Sequence, residues 1–91
     1  MNSSTLYTIR LERQAERELR KLPRDVIQRI NATLQGLAYE PRPHGVVKLA
    51  GQTGSKWRIR VGVYRILYEI NDQQAHVNVY RIKHRRNAYD R

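Results

Sequence analysis

The chain has 91 residues, which suits one small domain spanning residues 1–91. It has no cysteine, so disulfides and thiolate metal sites are excluded. Eighteen basic residues against eight acidic ones give a net charge of +10, the balance of a protein that meets a polyanion.

The N-terminus, Met1-Asn2-Ser3-Ser4-Thr5, is polar and leads into no apolar stretch of signal-peptide length. No run approaches transmembrane length, so a cytoplasmic protein without a membrane partner is expected. Tyr7 to Leu11 reads as a first strand. Glu12 to Leu22 has helical spacing, with Ala15, Leu19 and Leu22 on one stripe and Arg13, Glu16, Arg17 and Arg20 around it. Pro23 interrupts that helix and suits the first turn of the next. From Arg24 to Leu37, the residues Ile27, Ile30, Leu34 and Leu37 recur at three and four, which predicts a second amphipathic helix ending near Gly36. Pro41, Pro43 and Gly45 then mark a loop.

After Gly45 the period changes from helix to strand. Val46 to Leu49 is a short strand candidate, and Ala50 to Ser55 a glycine-containing loop. Lys56 to Val61 alternates, with Trp57, Ile59 and Val61 on one face and Arg58 and Arg60 on the other. Gly62 marks a tight turn. Tyr64 to Ile70 alternates again, with Arg65 opposed to Tyr64 and Ile66. Asn71-Asp72 signals another turn, and Gln74 to Lys83 a last strand. Its apolar residues fall in both phases, which predicts a bulge or burial on both sides. The tail from Arg85 to Arg91 is expected to add a short helical turn. The expected fold is α+β: an N-terminal strand and a two-helix hairpin packed on a four-stranded, mainly antiparallel sheet.

The charge is unevenly placed. Residues 1–40 hold seven basic and five acidic residues, whereas residues 41–91 hold eleven and three. No acid occurs between Pro41 and Tyr68. If the strands on either side of Gly62 pair, Arg58, Arg60 and Arg65 share one open face. Like charges so placed repel, and an anionic ligand would relieve the cost. Arginine suits phosphate because its planar fork bonds two oxygens and stays charged.

The chain has no Gly-rich phosphate loop and no carboxylate pair suited to metal-ion catalysis. His44, His76 and His84 show no ligand spacing, so neither metal nor cofactor is expected. RNA, however, carries its own nucleophile. Its 2′-hydroxyl can attack the adjacent phosphorus, which leaves the protein to supply a base, an acid and cations aimed at the phosphorane.

Three runs carry a resemblance: Lys48-Leu49-Ala50-Gly51, Trp57 through Ile70, and Lys83-His84-Arg85-Arg86-Asn87-Ala88-Tyr89. With Leu19-Arg20-Lys21-Leu22-Pro23 before them, they resemble the RelE branch of the RelE/ParE toxin superfamily over nearly the whole chain. The resemblance implies the toxin of a type II toxin–antitoxin system, a metal-independent endoribonuclease that cuts messenger RNA in the ribosomal A site. It also implies a cognate antitoxin, held in a higher-order hetero-oligomer.

By the same resemblance, Arg58 and Arg60 hold and neutralise phosphate, with Lys48 in support; Lys56 and Arg86 are further candidates for binding RNA phosphate. Arg65 stabilises the transition state, Arg85 is the catalytic arginine after the last strand, and Tyr89 is the general base. His84 competes for that role, because imidazole ordinarily titrates between pH 5 and 8. Two other readings stand beside this one. A ParE-like toxin would inhibit DNA gyrase by binding alone, against which the set Arg65, Arg85 and Tyr89 argues. A non-catalytic RNA-binding domain would need exposed aromatics for stacking, and most tyrosines here alternate toward the core.

Overall fold

The computed structural model describes residues 6–49 and 55–87. Strand β1 (Thr8–Leu11) is followed by helices α1 (Arg13–Arg20) and α2 (Arg24–Tyr39), then by β2 (Val47–Lys48), β3 (Lys56–Val61), β4 (Tyr64–Asn71) and β5 (His76–His84). The strands form one sheet in the order β1-β5-β4-β3-β2. The four later strands pair antiparallel, as the short β3–β4 and β4–β5 connections require of their strands. Strand β1 joins them as a fifth, parallel to β5, with Ile9 opposite Val77 and Leu11 opposite Val79. The chain reaches that parallel position by crossing one face of the sheet through α1 and α2.

Helix α2 does not end near Gly36 but runs on to Tyr39. Gly36 is exposed and nothing crowds it, so it is tolerated inside the helix. The stop comes from Pro41, which disfavours helical backbone in the residue before it, and Glu40 is extended. At the start, the Pro23 carbonyl accepts the Ile27 N–H at 3.0 Å.

The core lies between the helices and one sheet face. Ala15 of α1 and Ile30, Leu34 and Leu37 of α2 meet Val61, Ile66, Tyr68, Ile70, Val77, Val79 and Ile82, with Trp57 and Ile59 packed against them. This is the face that alternation assigns to the helices. The Tyr68 hydroxyl, fully buried, donates to the Pro41 carbonyl at 2.8 Å and ties the loop after α2 to the core.

Strand β5 changes phase at a bulge. Leu67 pairs with Arg81 but Tyr68 pairs with Val79, so Tyr80 is the extra residue. Val77 and Val79 face the core before the bulge and Ile82 faces it after. That one-residue shift accounts for apolar residues in both phases. It also sends Arg81 and Lys83 to the face opposite the helices.

Candidate nucleic-acid interface

The turn between β3 and β4 positions the cationic face. Val61 pairs with Tyr64, which leaves Gly62-Val63 as a two-residue connection. Gly62 takes φ +58 and Val63 does not take positive φ, the pattern of a II′ turn that twists with its strands. The register then sets Arg60 opposite Arg65 and Arg58 opposite Leu67. Arg58, Arg60 and Arg65, with Gly45 and Val47, line one cleft of about 240 Å³ on the face away from the helices. The grouping expected from alternation is therefore present.

Arg65 is held by its own turn. Its Nη1 donates to the Gly62 carbonyl at 3.1 Å and to the Tyr64 carbonyl at 3.0 Å. That leaves Nε and Nη2, the side-on edge of the fork, for an anion. Leu67 is buried between Arg58 and Arg81, its cross-strand neighbours, so it spaces the cations along β4.

The other expected residues are placed less uniformly. Lys56 stands on the same face but at its far end, opposite Glu69, with its ammonium 5.2 Å from the Tyr80 ring centre. Lys48 pairs with Trp57 and so faces the other way; its ammonium lies 5.9 Å from the Trp57 ring centre. His84 pairs with Tyr64, and the two rings meet edge to face with centres 5.6 Å apart. It is one residue out of phase with the Arg65 face. Its Nδ1 accepts the Arg86 backbone N–H at 3.2 Å, which places the proton of the neutral ring on Nε2. The Arg85 backbone N–H donates to the Val63 carbonyl at 2.7 Å and docks the end of β5 beside the β3–β4 turn. Arg85 and Arg86 are exposed. Tyr89 lies outside the described residues.

The register also brings in residues the sequence reading did not assign to the site. Lys83 stands opposite Arg65, and Arg81 opposite Leu67. The signal was available: Val77 and Val79 are odd-numbered and Ile82 is even, so the phase must change between them. Arg81 is neutralised locally. Glu18 of α1 takes its Nη2 at 2.8 Å and its Nε at 2.9 Å. Burial opposes ionisation of Glu18. The Arg81 guanidinium, the Ile82 N–H and Gln14 outweigh it and hold the carboxyl below its ordinary value.

No group of three or more His, Cys, Asp or Glu suited to a metal occurs among the described residues. Neither described helix is long and apolar enough to cross a membrane.

Two helices on one face of a five-stranded sheet, with an arginine cleft on the other, define a small α+β domain with a cationic face suited to anions. The model of the ParE toxin of type II toxin–antitoxin systems (parDE) matches residues 9–89, and the chain belongs to this family. Toxin RelG of Mycobacterium tuberculosis (strain ATCC 25618 / H37Rv) is 34% identical over 86 residues, which cover 93% of this chain and 98% of RelG. Among solved structures, the archaeal RelE–RelB complex of Pyrococcus horikoshii OT3 superposes with a TM-score of 0.80 at 28% identity, covering 91% of this chain and 99% of that one. The toxin–antitoxin complex RelBE2 of M. tuberculosis gives 0.77 at 30% identity, covering 87% and 98%. The fold and the family are thus those of a RelE-like toxin.

Proposed function

We propose that this toxin is a metal-independent endoribonuclease that cuts messenger RNA in the ribosomal A site and so inhibits translation. The observation that carries the reading is the cleft that Arg58, Arg60 and Arg65 line together. The 2′-hydroxyl attacks the adjacent phosphorus, and the bond from phosphorus to O5′ breaks. The products are a 2′,3′-cyclic phosphate and a 5′-hydroxyl. Arg58 and Arg60 hold the phosphate, while the anchored Arg65 and the exposed Arg85 meet the charge on the phosphorane. Arginine does not give up a proton in proteins. Tyr89 therefore takes the proton of the 2′-hydroxyl, with His84 as the competing candidate, and solvent water gives one to the leaving O5′, which becomes the 5′-hydroxyl. Lys56 and Arg86 extend the positive field around the cleft.

The partner implied is a cognate antitoxin, since the two complexes described above are toxins bound to antitoxins. A chain of net charge +10 calls for an inhibitor with acidic segments. Toxin and antitoxin together form the resting hetero-oligomer.

The test is induced expression in growing cells, with primer-extension mapping of translated messages. In-frame cleavage is expected. Arg65→Ala should lower it by about 10² to 10³, the effect of removing one well-aimed charge donor. Intact messages after growth arrest would overturn the reading. The ParE family model favours a second reading, gyrase inhibition by binding alone. It predicts DNA damage with uncut messages, and growth arrest that survives Tyr89→Phe.

A further inference from the structure

Two basic residues of β5 share the cationic face but differ in their surroundings. Arg81 is taken by Glu18. Lys83, two residues on, has no ion pair or side-chain hydrogen bond among the described residues. It stands opposite Arg65, which stands opposite Arg60. The three cations thus form one row across β3, β4 and β5, with no carboxylate in it. Adjacent strands lie about 4.8 Å apart, so the row is roughly 10 Å long. Such a row costs the free protein repulsion and returns nothing until an anion binds.

Lys83 does not line the cleft shared by Arg58, Arg60 and Arg65. It lies one strand beyond it, so its charge is not aimed at the anion that the cleft takes. Lys83 is partly buried on its strand, as a long side chain that lays its stem on the sheet and keeps its charged head in water would be. A polyanion that fills the cleft and continues across the sheet would meet Lys83 with its next charge.

We propose that Lys83 binds a second phosphate of single-stranded RNA, adjacent to the one held in the arginine cleft. The RNA backbone then crosses β3, β4 and β5 along the row Arg60–Arg65–Lys83. This rests on the RNA reading above. It makes Lys83 a binding residue and fixes the direction of the strand, perpendicular to the β-strands.

The test is equilibrium binding of a short single-stranded RNA with 2′-O-methyl groups, which cannot be cleaved, across a salt series. Each lost phosphate contact lowers the slope of log K against log salt by about 0.7 for a single strand. Lys83→Gln should lower it by that amount, so that between 50 and 200 mM salt its affinity falls roughly 2.5-fold less than that of the parent chain. Lys83→Arg should keep the slope. Lys21→Gln, on the exposed end of α1, should also keep it. Arg60→Ala is the control for the underlying reading. If Arg60→Ala lowers the slope and Lys83→Gln does not, the second phosphate site is wrong. If neither lowers it, the RNA reading itself fails. Circular dichroism of each variant separates lost contacts from lost fold.

Discussion

The Glu18 carboxylate accepts the Ile82 backbone N–H at 2.7 Å. Strand β1 covers β5 only as far as Val79, so beyond it the β5 edge faces no strand among the described residues. Glu18 occupies that open edge with one oxygen and grips Arg81 with the other. It links α1 to the sheet and withholds one ladder position from a foreign strand. Glu18→Ala should destabilise the fold by about 1.5–3 kcal/mol, the range for hydrogen bonds to a charged group. Chemical denaturation measures this. An unchanged midpoint would show that water replaces the carboxylate without loss.

Acid should weaken the fold through two carboxylates. Asp72 is held below its ordinary value by the Arg42 guanidinium, bonded at 2.8 Å, and by the Tyr7 hydroxyl at 2.6 Å. Glu18 is also held low. A depressed folded pKa contributes stability that is complete above the unfolded value and is lost as pH falls through the folded one. Stability should therefore hold from neutral pH down to the ordinary carboxylate values of 4.5 and 3.8, and decline below them. Thermal melts from pH 7 to pH 2.5 check this, and Asp72→Asn should flatten part of the decline.

Tyr68 makes the opposite prediction at high pH. Burial pushes its hydroxyl up to about 12, against a small opposing effect of Arg42. A raised folded pKa gives stability that is present below the unfolded value of 10.0 and lost as pH rises toward 12. Ultraviolet titration should show one tyrosine ionising last, together with unfolding. Tyr68→Phe should remove that signal. It also leaves the Pro41 carbonyl without its donor, at about 1–1.5 kcal/mol near neutral pH.

Two glycines should respond with opposite signs to alanine. Gly62 sits at φ +58, and an added Cβ would come within 2.8 Å of Nη2 of Arg29, the movable end of a long side chain. The backbone conformation alone costs an L-residue about 1–2 kcal/mol. For a domain of this size, 1 kcal/mol is about 4–8 °C in Tm. If the chain cuts RNA as proposed, Gly62→Ala should also reduce that cleavage, because the Gly62 carbonyl anchors Arg65. Gly36→Ala, inside α2 with nothing within 4 Å, should raise stability by about 0.5–1 kcal/mol. Differential scanning calorimetry of both variants decides the signs.

The elements and the arginine face were legible from local pattern. Alternation in Lys56–Val61 and Tyr64–Ile70, with glycine between, already sets Arg58, Arg60 and Arg65 on one side, because a hairpin's register follows from its turn. The end of helix α2 is not legible locally: Gly36 reads as a stop, yet the cost of one exposed glycine is outweighed by the packing of Ile30, Leu34 and Leu37, and the helix ends only before Pro41.

What the sequence determined by itself was periodicity and composition: two amphipathic helices, alternating strands, and a basic half without an acid from Pro41 to Tyr68. Those depend on neighbours within a few residues. Only the tertiary structure decided what meets across long separations. It put β1 parallel to β5 and turned Lys48 away from the arginine cleft. It matched Glu18 to Arg81, and through the bulge at Tyr80 it brought Lys83 into line with Arg65. A one-residue shift in pairing sends every later side chain of a strand to the other face. That shift is set by the partner strand, so the composition of the cationic row was settled by how the strands pair.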